Sequence, residues 1–148
     1  MRLVFYFIYT ILAALALAEW EIQIEGKDGW ADKLPCWRKN EGWLVKLYGY
    51  PITGYHIFLI SNLLLLIHLP VFFANAWTWQ HELAILGFLL LMLTLEDFFW
   101  FLLNPSFGLK GFKKANPNLW WHKRWFLSLP VFYWFSLPAG IILILISF

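Results

Sequence analysis

Residues 83–103 read LAILGFLLLMLTLEDFFWFLL. A helix needs about 20 apolar residues to cross a bilayer, and this run has the length. One acidic pair, Glu96-Asp97, interrupts it, about 10 Å inside its C-terminal end at 1.5 Å per residue. A carboxylate at that depth costs roughly 2.5–3.5 kcal/mol to insert, so it is kept only when paired, protonated or turned toward a polar cavity. The fold and the function both turn on this stretch.

Working outward, three further apolar runs lie at about residues 3–18, 52–73 and 126–148. The composition agrees with them. Of the 148 residues, 61% are hydrophobic and 14% are charged, where a soluble domain carries about half and a quarter. Such an excess cannot be hidden in one small core. Soluble enzymes, nucleic-acid-binding proteins and disulfide-stapled modules are disfavoured on this ground, and a net charge of +2 gives no reason to expect nucleic acid as a partner. Cys36 is the single cysteine, so no internal disulfide can form. The expected fold is an all-α integral membrane protein over residues 1–148. It has four transmembrane helices with both termini on one side, and a short interfacial helix before the fourth span.

The first run begins Met1-Arg2 and ends Ala16-Leu17-Ala18, the form of a secretory signal with a small-residue cleavage site. It is read here as an anchor helix that stays in place. All Lys and Arg residues except Arg2 then fall in the first and third loops, residues 19–51 and 104–125. Short basic loops are retained in the cytoplasm, which puts both loops inside and the termini outside. Most tryptophans gather on the same side, as a belt of anchors or a binding surface. In the first loop, Trp20-Glu21-Ile22-Gln23-Ile24-Glu25 alternates as a short strand would. Gly26-Lys27-Asp28-Gly29 then reads as a turn. In the third loop, Asn116-Pro117 opens a helix with proline at its first position. That helix would carry Leu119 through Trp125 along the interface, and Pro130 and Pro138 would kink the last span.

Chemistry is expected on the loop side. Glu96 and Asp97 supply carboxylates, and His56 and His122 lie at a depth from which they can approach them. Asp97, Trp100 and Asn104 form one helical stripe leading to that side, with Asn104 placed to orient a polar group. The same four acids and imidazoles, Glu96, Asp97, His56 and His122, are ligand types that a divalent metal ion accepts, although no tight metal motif is present. Lys110, Lys113, Lys114, Lys123 and Arg124, with Trp121, would hold an anionic lipid headgroup. Glu21 and Glu25 would close over the site as a lid. His68, Asn75, His81 and Glu82 make a second polar group at the opposite hairpin.

The leading functional expectation is an intramembrane enzyme acting on an anionic lipid or amphiphile, with membrane lipid as its partner. One alternative is a small transporter or channel, working as a homo-oligomer with Glu96 as the functional charge. The other is a non-catalytic membrane scaffold in which the first and third loops lock together through Glu21, Glu25, Lys123 and Arg124.

Overall fold

A computed structural model of the chain describes residues 1–113, 116 and 121–148. The elements run α1 (Arg2–Glu25), β1 (Arg38–Lys39), α2 (Trp43–Tyr48), β2 (Ile52–Thr53), α3 (Gly54–Ala74), α4 (Trp79–Leu103), α5 (Gly108–Gly111), β3 (Trp125–Phe126), β4 (Leu129–Pro130) and α6 (Val131–Ser147). Helices α1, α3 and α4 are long and apolar enough to cross a membrane, while α6 is apolar but shorter, at 17 residues. Capping chemistry sets several of the boundaries. Thr53 Oγ1 accepts from the His56 amide at the start of α3, and Thr78 Oγ1 accepts from the His81 amide at the start of α4, each at 3.2 Å. Asn75 closes α3 in the left-handed conformation, with φ 46°.

Helix α4 lies at the centre, with α1 and α6 packed against it. On α1 the buried residues are Thr10, Ala14, Leu17, Ala18, Glu21, Ile22 and Glu25. Steps of three and four residues place them on one face. That face corrects the strand reading of residues 20–25. Glu21, Ile22 and Glu25 continue the helical stripe onto α4, so α1 runs through to Glu25 and outlasts its apolar run. The contact with α6 is a close one: a Cβ on Gly87 would stand 2.8 Å from the Gly140 carbonyl oxygen. One turn or two further along, Thr94 Oγ1 donates to Ser136 Oγ at 2.7 Å. Small residues and an interhelical hydroxyl bond are how apolar helices associate where lipid gives them no hydrophobic advantage. Helix α3 packs on the core through the row Leu59, Leu63, Ile67 and Val71, none of which is fully buried.

The fourth apolar run starts differently from its expected form. Residues 125–130 fold into a small hairpin, with Trp125 opposite Pro130 and Phe126 opposite Leu129. Pro130, whose ring cannot donate to a helix ladder, stands at the N-cap of α6 and introduces no kink; Pro138 alone lies inside that helix. The expected interfacial helix does not reach residues 121–126, which form a turn, an irregular segment and β3. Its beginning at Pro117 to Trp120, like Lys114, lies outside the described residues.

Above the loop-side end of α4 the aromatic residues form a packed cap. Trp121 is buried and stacks on Phe101, with ring centroids 5.7 Å apart and planes 15° from parallel. Trp100 meets Trp121 edge-on. Gly29 reaches this cap with φ +62°, and a Cβ there would fall 2.5 Å from the Trp121 ring. The tryptophans therefore divide between two roles. Trp100 and Trp121 are core, whereas Trp20, Trp37, Trp43, Trp77 and Trp79 are exposed as interfacial anchors are.

Candidate functional site

Asp97 stands on α4 with its carboxylate about one-quarter exposed. Its Oδ2 accepts from His122 Nε2 at 2.8 Å and from the Tyr133 hydroxyl of α6. His122 is held in place by its own neighbours: Trp125 Nε1 donates to its carbonyl at 2.6 Å, and Val131 N donates to the Arg124 carbonyl at 2.9 Å. The turn and irregular segment that lead into the β3–β4 hairpin thus carry the imidazole to the acid. A carboxylate only accepts, so in this bond the imidazole donates from Nε2, and Nδ1 takes no part in it.

Glu96, one residue earlier, points elsewhere, because successive helical residues diverge by about 100°. It is buried and is hydrogen-bonded to Glu21 of α1. Two carboxyl groups can share such a bond only when one of them carries a proton. The Tyr55 hydroxyl of α3 donates to Glu21 Oε1 at 3.2 Å. Three helices are therefore pinned at one carboxyl pair. Glu96 Oε1 has no hydrogen-bond partner among the described residues.

Glu25 serves the turn that follows it. Its Oε1 accepts from the Ala31 amide at 2.5 Å, across a segment in which Trp30 and Ala31 both take positive φ. His56 Nε2 lies 3.8 Å from the same oxygen, its ring stacked on Trp30 at 4.2 Å, while its Nδ1 is bonded to Thr53 Oγ1 at 2.6 Å. His56 thus belongs with Glu25, apart from the His122–Asp97 pair. Asn104 is likewise committed: its Nδ2 donates to the Gly26 carbonyl at 2.7 Å, and its Oδ1 accepts from the Ser106 amide at 3.0 Å. It ties the end of α4 to the end of α1, with both ends of its amide engaged.

Several expected site residues take other positions. Glu21 and Glu25 are on the last turns of α1, buried, and form no lid. Among the described residues neither is bonded to Lys123 or Arg124; Lys123 donates instead to the Gly49 carbonyl of the first loop. Trp121 is inside the aromatic cap and so contributes no exposed headgroup contact. Among the described residues no three His, Cys, Asp or Glu side chains gather as a metal ion would require. The four expected ligands are split among three groups, Asp97 with His122, Glu96 with Glu21, and His56 with Glu25. Lys110, Lys113, Lys123 and Arg124 are exposed. Lys123 and Lys46 line a cavity of about 580 Å³ with Asn40, Glu41, Trp43 and Gly49. At the far hairpin the second polar group is partly formed: Trp77 Nε1 donates to Glu82 Oε1 at 2.7 Å, and His68 Nε2 is 3.4 Å from that oxygen.

Sequence reasoning missed Tyr133 and Tyr55. Each stands alone in or beside an apolar run, where a tyrosine reads as an interfacial anchor, and no local spacing links it to an acid on another helix. No protein-family model, curated protein or solved structure matches this chain.

Proposed function

We propose that this chain is a four-span membrane enzyme in which His122 and Asp97 act as an acid–base pair on an anionic lipid or amphiphile. Both termini face one side of the bilayer, and the loops that carry the site face the cytoplasm. The observation behind the reading is the convergence of His122 Nε2 and the Tyr133 hydroxyl on Asp97 Oδ2. Asp97 orients the imidazole and stabilises the imidazolium formed when Nδ1 takes a proton from the substrate. Tyr133 holds the same carboxylate from α6, so the pair keeps its geometry as charge appears. Lys123 follows His122 directly, and with Lys46 it lines a cavity where it offers positive charge to a headgroup. Helix α6 is about 26 Å long at 1.5 Å per residue. The apolar hairpin before it supplies the remaining depth of a span.

In this reading the Glu21–Glu96 pair is a joint, and it takes no part in the chemistry. Conduction through an oligomer has less support. Between Glu82 and Thr94 the buried face of α4 consists of Ile85, Gly87, Phe88, Leu89, Leu91 and Met92, which offer a charge no polar step.

The test compares the lipid composition of membranes holding the wild type, Asp97→Asn or His122→Gln at equal levels of insertion. An anionic lipid class consumed by the wild type and spared by both variants is expected. Identical lipid profiles from all three would sink the reading. The topology is checked on Cys36→Ser protein carrying Lys27→Cys or Phe148→Cys. An impermeant maleimide applied to intact cells should label position 148 and spare position 27.

A further inference from the structure

Among the described residues, helix α3 is the least covered of the long apolar helices. Helices α1, α4 and α6 each bury at least four residues, whereas α3 fully buries only Gly54. Its inward row is Leu59, Leu63, Ile67 and Val71. On the opposite face stand Phe58, Asn62, Leu65, Leu69 and Phe72, all exposed, the four apolar ones by 42–73%. These five positions follow one another by steps of four, three, four and three residues. A 3.5-residue repeat of this kind is the seam of a left-handed helix pair. Its exposure shows that no helix of the same protomer covers it. In a heptad written abcdefg, Phe58, Leu65 and Phe72 take d, and Asn62 and Leu69 take a.

Asn62 sits where a polar group is least tolerated. It lies eight residues after Gly54 and twelve before Ala74, about 12 Å and 18 Å along the helix at 1.5 Å per residue. That is within about 3 Å of the middle of a span through hydrocarbon about 30 Å thick. Its Nδ2 donates to the Phe58 carbonyl of its own helix at 2.7 Å. The neighbouring Ser61 satisfies its single donor in the same way, on the Ile57 carbonyl. An amide has a second N–H and a carbonyl oxygen besides, and these face outward. Asn62 also borders a cavity of about 610 Å³ between α1 and α3, but the one hydroxyl there, that of Tyr55, is already donated to Glu21. Acyl chains offer neither donor nor acceptor, so an amide left to them is strongly unfavourable.

Another copy of this chain answers both features at once. Two copies inserted with the same topology stand parallel, and a two-fold axis along the membrane normal sets each seam position against itself. An asparagine amide is donor and acceptor together, so it complements its own image. A single asparagine at an a position is also what fixes register in parallel helix pairs. We propose that the outward face of α3 is a dimer interface between two copies of this chain, packed along Phe58, Leu65, Leu69 and Phe72 and keyed by a hydrogen bond between the Asn62 amides of the two copies. The interface rests on α3 crossing the bilayer and on none of the His122–Asp97 chemistry.

The test uses the full chain in phosphatidylcholine liposomes on a Cys36→Ser background. Phe58→Cys, Leu65→Cys, Leu69→Cys and Phe72→Cys are each oxidised with copper phenanthroline beside Leu59→Cys, Leu63→Cys and Ile67→Cys of the inward row. Disulfide-linked dimers are expected from the first set and not from the second. Association is then followed by energy transfer between copies labelled at Phe148→Cys as lipid is added. Asn62→Leu is expected to weaken it roughly threefold to tenfold, the factor that interhelical hydrogen bonds contribute in a bilayer. Asn62→Gln, which keeps a donor and an acceptor, should restore part of it. Both changes lie on an exposed face, so thermal unfolding should stay as in the wild type. Cross-linking as strong on the inward row as on the seam, no energy transfer at the highest protein density, or association unchanged in Asn62→Leu would overturn the proposal. So would a purified chain that stays monomeric while the seam cysteines cross-link to a different protein in native membranes. Asp97→Asn and His122→Gln leave association unchanged, so the dimer and the acid–base reading fail separately.

Discussion

Asp97 Oδ2 and His122 Nε2 lie 2.8 Å apart, joining the middle helix to a loop residue 25 positions later in the chain. The bond is charge-assisted and partly shielded, and such bonds contribute roughly 1.5–3 kcal/mol, less where solvent reaches them. A double-mutant cycle of Asp97→Asn and His122→Gln is therefore expected to give a coupling energy of about 1–2 kcal/mol, read from thermal unfolding in detergent. Additive effects would mean that the two side chains do not act as a unit.

The sequence places the helices well and the site only in part, for a physical reason. An apolar run reports burial in lipid position by position, so α1, α3 and α4 could be found from composition along the chain. The pairing of Asp97 with His122 could be anticipated because an acid inside a span demands a partner from the nearest polar segment. The partners that were misjudged share another property. Glu21 and Glu25 look like loop residues because the apolar stretch ends at Ala18, yet the helix continues on the strength of the face it shares with α4. Tyr55 and Tyr133 are determined by which helices touch, and nothing local to either residue encodes that. Asn104 was legible as polar, but its bond to the Gly26 carbonyl depends on where α1 stops.

Two glycines in the turn after α1 separate strain from packing. Gly26 has φ +65° with open space where a Cβ would go, and Gly29 has φ +62° with the Trp121 ring 2.5 Å from that position. Gly26→Ala should cost about 1 kcal/mol from the left-handed backbone alone. Gly29→Ala carries the same strain and also displaces a buried ring of the aromatic cap, adding roughly 1–3 kcal/mol. Tryptophan fluorescence should shift in the Gly29 variant and stay unchanged in the Gly26 variant. Equal melting temperatures for the two would contradict the packing at Trp121.

At the crossing of α4 and α6, a methyl group on Gly87 meets the Gly140 carbonyl oxygen at 2.8 Å and the Ile144 amide nitrogen at 3.0 Å. Both are backbone atoms, so the helices must separate to admit it. Gly87→Ala is expected to destabilise the protein by about 1–3 kcal/mol. At Gly140 the first obstacle is the flexible end of Leu91, 2.7 Å away, so Gly140→Ala combined with Leu91→Ala should be tolerated better than the Gly140 change alone. Resistance to unfolding in sodium dodecyl sulfate measures both.

The carboxyl pair offers the sharpest separation between a joint and a reacting group. Glu21 and Glu96 are hydrogen-bonded to each other, and the pair is enclosed by α1, α3 and α4. Removing one buried partner leaves the other unsatisfied, which costs on the order of 1–3 kcal/mol or more for an ionisable group; replacing both by apolar groups of similar shape is close to neutral. Glu96→Leu and Glu21→Leu should therefore each lower the melting temperature markedly. The double variant should be more stable than either single one, with Tyr55 left as the only group to lose a bond. Glu96→Gln, which can still donate to a carboxylate, should behave almost as wild type. If the double leucine variant were the least stable of the three, the pair would be contributing net stability beyond mutual satisfaction. If that double variant also spared the lipid class that the wild type consumes, Glu21 and Glu96 would belong to the chemistry and His122 and Asp97 would not suffice for it.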